Sequence, residues 1–185
     1  MSAGSFADTS AAASAKAGVN VGERLAMDLI LWRHADAGEP GEGLLDDDLQ
    51  RPLTPRGEKQ AKRMAEWLNR FLPDSTRILS SPALRTRQTA DALGRKLRTV
   101  DALLPGASHS QALAAARWPD SREPVLLVGH QPMLGQLAAY LMAGASTLDA
   151  PAWAVRKGAV WWLRHRAREG GAEVVLVSVR TPEKL

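Results

Sequence analysis

An arginine fork can hold phosphate oxygens at two points, and a neutral imidazole can attack phosphorus. The sequence places both kinds of side chain where apolar runs end. Arg33 and His34 close the run in "LILWRHADAG", and His130 closes "PVLLVGH". Arg85 lies in "SSPALRTRQTA", just after the strand-like "TRILSS". A second imidazole in the same crevice could exchange a proton or donate a hydrogen bond. Brought together, these residues would form a nucleophile with its phosphate clamp.

Each of them alone has an ordinary explanation. An Arg-His pair after a strand is commonly a solvated loop, and Arg85, near Arg87 and Arg95, reads as a surface charge. Their shared position at strand ends is what points to a site. His109, in a Ser-rich helix entry, and His165, between two arginines near a turn, lack that context and read as surface residues. The acidic run "LLDDDLQ" (44–50) could suggest a carboxylate metal site. It does not directly follow a hydrophobic strand but sits in a loop bounded by Gly and Pro, and it reads as a solvated acidic loop. No GxxxxGK[ST] phosphate loop occurs. Neither a metal nor a cofactor is expected.

The elements that must position these residues alternate between strand-like and helix-like. Residues 28–33, 76–81, 98–101 and 124–130 read as strands. "LTPRGEKQAKRMAEWLNRFL" reads as a helix with Thr54 as N-cap and Pro55 as its first residue. Further helices are expected over 82–96, over 109–117 and from Pro132 onward. "GAVWWLRHR" and "AEVVLVSV" flank the turn "AREGG" and predict an antiparallel hairpin. Trp161 and Trp162 should face opposite sides of its first strand. The alternation predicts an α/β fold, a mostly parallel sheet with helices on both faces. In such sheets ligands bind outside the carboxyl ends of the strands, where Arg33, His34, Arg85 and His130 all fall.

Composition narrows the partners. At 185 residues and 45% hydrophobic, the chain suits one domain with a sizeable core. It has no cysteine, which excludes disulfides and thiolate chemistry. The net charge of +4 suits an anionic partner but is modest for a nucleic-acid binder, and no recognition motif for nucleic acid is present. No apolar run approaches the roughly 20 residues of a membrane span. Residues 1–26, rich in Ala, Ser and Gly, read as a flexible N-terminal extension. The domain is expected over 27–185, with Met27 directly before the first strand.

The blocks "LWRHADAG", "RPLTPRGEKQA", "SSPALRTRQTA" and "VLLVGHQP" occur in the order of the signature blocks of the histidine phosphatase superfamily, also called phosphoglycerate mutase-like, and resemble them over about residues 27–180. Their form and the short chain resemble most the SixA-type phosphohistidine phosphatases. The resemblance implies a three-layer α/β sandwich and a mechanism without metal. It implies that His34 is the transiently phosphorylated nucleophile, that Arg33 and Arg85 bind the phosphoryl group, and that His130 contacts it from the other side. Two positions depart from the pattern. Ala35 replaces the usual Gly, and Ala102, beside Asp101, stands where larger branches carry an acidic general acid. An imidazole leaving group, with a pKa of about 6.5, needs far less help than an alkoxide. The expected function is therefore a cytoplasmic protein phosphohistidine phosphatase that hydrolyses the P–N bond of phosphorelay or phosphotransfer proteins, its oligomeric state left open with a monomer favoured. A metal-independent phosphomonoesterase acting on small esters is the alternative, and a catalytically silent phosphate-binding module is a third reading.

Overall fold

Leu29, Ile30, Leu31 and Trp32 are completely buried, as an apolar run without alternation requires when both faces of its strand are covered. They form the middle of β1 (Ala26–Arg33). The structure is a computed structural model, and it describes residues 26–39, 48–144, 152–168 and 170–185. β1 pairs in parallel with β4 (Val125–Gly129) and antiparallel with β5 (Val160–Arg168). With β2 (Arg77–Ser80), β3 (Leu97–Thr99) and β6 (Gly171–Arg180), the sheet order is β3-β2-β4-β1-β5-β6. β3, β2, β4 and β1 run parallel, and β5 and β6 form the expected antiparallel hairpin.

The pleat divides the core. Leu29 and Leu31 face one side with Leu103, Trp118 and Leu134, under α3 (His109–Ala116) and α4 (Met133–Ala143). Ile30 and Trp32 face the other with Met64, Leu68 and Leu93, under α1 (Pro55–Asn69) and α2 (Leu84–Asp91). The result is three layers. Trp162 is buried on the α1 side, whereas Trp161 is only partly buried on the α4 side, as the alternation predicts.

Two features fix the carboxyl edge of the sheet. Arg33 lies opposite Gly129 in the parallel register, so His34 and His130 leave neighbouring strands at the same level. The His34 backbone N–H continues that ladder by donating to Gly129 O at 3.1 Å. The first turn of α1 then clamps the loop after β1. Thr54 caps α1 by accepting from Gly57 N, and Asp36 N donates to Gln60 Oε1 at 3.0 Å. At Gly57 a Cβ would lie 1.9 Å from Asp36 O, so only glycine permits this approach.

Some boundaries differ from expectation. The helix read over 82–96 spans only Leu84–Asp91, and Gly94 with φ +65° turns the chain toward β3. β3 ends at Thr99, and Asp101–Leu103 form a 3-10 turn. Met27 lies inside β1, opposite His165. Of the expected extension, residues 1–25 lie outside the described residues, as do 44–47 of the acidic run. No helix among the described residues is long and apolar enough to cross a membrane.

Candidate active site

All four residues singled out in the sequence meet at the carboxyl edge of the parallel strands. The His34 and His130 rings lie 5.2 Å apart between centroids, tilted by 54°. Both are buried, at 6% and 4% exposure. His34 Nδ1 lies 2.8 Å from Ala35 O. A carbonyl only accepts, so Nδ1 carries the proton and Nε2 keeps the lone pair. His130 Nε2 lies 2.9 Å from Ser81 Oγ. Ser81 leaves β2 beside β4, its N–H bonded to Val128 O.

Two arginines frame the rings. Arg33 is the last residue of β1 and donates from Nη1 to Val155 O at 2.8 Å. Arg85, 3% exposed, stands at the start of α2. That helix is tied to the loop after β1 through Thr89, whose hydroxyl accepts from Ala35 N and donates to Arg85 O. The Nε atoms of Arg33 and Arg85 are buried without a hydrogen-bond partner among the described residues.

The acidic run requires a correction. Asp48 is not a solvated carboxylate. It accepts from Arg85 Nη2 at 2.9 Å through Oδ2, and its backbone O accepts from Arg85 Nη1 at 2.6 Å. Its other oxygen takes Arg51 Nε at 2.9 Å. Burial alone would raise the Asp48 carboxyl, but the Arg51 bond and the Arg85 charge outweigh it and hold it below the usual range. A buried guanidinium needs an acid nearby, and among the described residues Asp48 is the one paired with it.

Arg51 is the residue that sequence reasoning missed. It also donates to Ala37 O and Gly38 O, and its charge bears on both histidines. It opens the block "RPLTPRGEKQA" and lies three residues after Asp48, a spacing that could have marked the pair. His109 and His165 lie elsewhere, both half-buried, with their rings against Tyr140 and Trp118 respectively. Asp101 is exposed on the 3-10 turn after β3, beside half-buried Ala102.

The electrostatics favour neutral imidazoles. Burial pushes His34 down to about 3. The Ala35 bond opposes this shift, and the Arg85, Arg33 and Arg51 charges reinforce it. Burial, then His34 and the same arginines, pushes His130 down to about 2. Burial lowers Arg33 and Arg85 as well, opposed by Glu39 and Asp48 respectively. The site thus joins neutral imidazoles with cationic guanidinia, a pairing suited to a phosphoryl dianion.

Two predictions arise from this geometry. Arg85→Ala should lower kcat by about 10²–10³-fold, the effect of one oxyanion donor, about 2.7–4 kcal/mol. Arg87, exposed on the same helix, should matter little when replaced by alanine. Equal and small losses from the two variants would remove Arg85 from the site.

The second prediction concerns acid. An unfolded histidine takes up its proton near pH 6.5, whereas native His34 waits until about 3 and His130 until about 2. Between these values the unfolded chain binds more protons, so stability falls with falling pH, by up to about 1.4 kcal/mol per pH unit for each histidine. Above pH 6.5 both states are neutral and the effect disappears. The urea midpoint should drop between pH 7 and 5, and His130→Gln should reduce that drop. Identical pH dependence in wild type and variant would contradict the buried neutral pair.

Residues 29–105 match the family profile of the histidine phosphatase superfamily, branch 1. The chain is 30% identical over 126 residues to phosphohistidine phosphatase SixA of Escherichia coli, across 64% of this chain and 76% of that protein. It is 37% identical over 127 residues to an uncharacterized protein of Picosynechococcus sp., across 64% and 74%. The solved structure of a proposed phosphohistidine phosphatase SixA from Nakamurella multipartitia superposes with a TM-score of 0.66 and 30% identity, over 85% of this chain and 96% of that one.

Proposed function

The chain belongs to the histidine phosphatase superfamily and is a phosphatase with a histidine nucleophile, and from that premise we propose that it hydrolyses phosphohistidine carried on a protein. His34 is the nucleophile of this reading. Its Nε2 lone pair attacks phosphorus while the P–N bond to the substrate imidazole breaks. The bonding pair stays with the leaving nitrogen, and the substrate ring, already protonated at its other nitrogen, departs as neutral imidazole. Water then attacks phospho-His34, releasing inorganic phosphate and restoring the imidazole.

Arg33 and Arg85, with Arg51 behind them, offset the charge of the phosphoryl oxygens. Their desolvated guanidinia already disfavour their own charge, and an arriving dianion relieves that. His130 faces His34 across the pocket and is placed to hydrogen-bond the phosphoryl group in flight. The observation that carries the reading is this pair of neutral, buried imidazoles 5.2 Å apart under arginine charges. The SixA relatives supply the substrate class by similarity.

Proteins labelled with phosphate on histidine test the reading directly. The enzyme should release the label as inorganic phosphate and leave phosphoserine proteins untouched. Failure to release label across a panel of phosphohistidine proteins would overturn the substrate assignment.

A further inference from the structure

An apolar surface runs outward from the edge of the catalytic crevice. Trp153, Leu176, Val177 and Val179 remain 36%, 41%, 44% and 36% exposed. Single exposed apolar residues are ordinary, whereas contiguous ones mark contact surfaces. These are contiguous. The Trp153 and Trp161 rings lie 6.0 Å apart. Val179 is the register partner of Trp161, and Leu176 that of Leu163, two residues along the same face of β5. A bulge between these pairs leaves Val177 extra in β6.

This surface is continuous with the site. Trp153 O accepts from Nε2 of Gln131, the residue after His130, at 2.7 Å. Val155 O accepts from Arg33, and Gly158 N donates to His34 O at 3.0 Å. The segment 153–158 therefore leads from the indole along the crevice to the nucleophile. From Val160, opposite Trp32, to Leu163 the strand advances three residues, about 10 Å at roughly 3.3 Å per residue. A phosphorylated amino acid held by the arginines cannot span that length, whereas a folded protein can.

We propose that Trp153, Trp161, Leu176 and Val179 form the docking surface for the body of the substrate protein, one that displays exposed aliphatic side chains beside its phosphohistidine. The proposal rests on the protein-phosphohistidine reading above. Tryptophan suits the role because a rigid indole buries a large area with little loss of side-chain freedom, which is why it is enriched among binding hot spots.

The test compares two probes: a helical phosphotransfer protein phosphorylated on its histidine with phosphoramidate, and free phosphohistidine. Trp153→Ala, and separately the double variant Leu176→Lys with Val179→Lys, should raise KM for the protein probe by about 10–100-fold, while kcat/KM for free phosphohistidine stays within about twofold. Equal loss on both probes would assign these residues to folding alone and overturn the proposal, as would an unchanged KM for the protein probe. Concentration-dependent self-association that the variants abolish, with protein turnover unaffected, would give the surface to a second copy of this chain and also overturn it. A wild-type enzyme that cleaves free phosphohistidine but no protein-borne form would sink the substrate reading itself, and the docking surface with it.

Discussion

Replacing His34 by alanine should lower turnover by at least about 10⁴-fold, in line with loss of a covalent nucleophile in other hydrolases. The arginines and His130 would remain, but in the proposed mechanism they stabilise charge and do not form the intermediate. Rapid quenching of wild type with labelled substrate should trap a phosphoenzyme stable in alkali and labile in acid. Acid lability follows from the chemistry: protonating a phosphorylated imidazole turns it into a neutral leaving group. The trapped label should be absent from His34→Ala. It should persist in His130→Gln, where the nucleophile is intact and charge stabilisation is weakened. Full activity in His34→Ala, or label recovered on another residue, would end the mechanism.

The second large effect concerns the leaving group. Phosphohistidine should be cleaved about 10²–10⁴-fold faster than alkyl phosphate esters, the factor that general acid catalysis typically contributes. Alkoxide is a strong base and needs a proton from the enzyme in the transition state, whereas a phosphohistidine ring protonated at its other nitrogen leaves as neutral imidazole. Ala102 carries no proton to give. Aryl esters such as p-nitrophenyl phosphate, with a weakly basic leaving group, should fall between. Asp101 is the residue that decides the matter. It stands exposed at the exit of β3, whose next residue, Val100, donates its N–H to Ser80 O beside the Ser81–His130 pair. Turnover of the three substrate types in wild type and Asp101→Asn separates the readings. If alkyl esters are cleaved as fast as phosphohistidine, and Asp101→Asn removes only the ester activity, the enzyme is a phosphomonoesterase.

The sequence by itself determined what local chemistry can encode. Two apolar runs without alternation, 29–32 and 125–128, can only be strands covered on both faces, and they are completely buried. Thr54-Pro55 marks a helix start because a hydroxyl cap and a missing N–H suit the first turn, and Thr54 is the cap. Arg33, His34 and His130 were legible because polar groups that end buried strands seldom lack a purpose, and Arg85 because it opens the helix that follows such a strand. The three-layer architecture followed from the alternation of strand and helix together with the family resemblance.

Tertiary structure decided what depends on partners far along the chain. The two imidazoles meet because Arg33 pairs with Gly129, 96 residues away, a register that neither run specifies alone. Asp48 looked solvated because acidic residues in a Gly- and Pro-bounded loop usually are. Only the arrival of Arg85, 37 residues on, turns it into the counter-ion of a buried guanidinium. Arg51 follows the same logic in part, since besides its neighbour Asp48 it bonds the Ala37 and Gly38 carbonyls of the loop after β1, which only the fold brings to it. The end of α2 at Asp91 and the segment 153–158 along the crevice carry no periodic signal at all. Hydrophobic period and capping act within a few residues and are written into local sequence. Ion pairing and strand register are chosen by the whole fold, because burying one charge or one strand edge makes its distant partner obligatory.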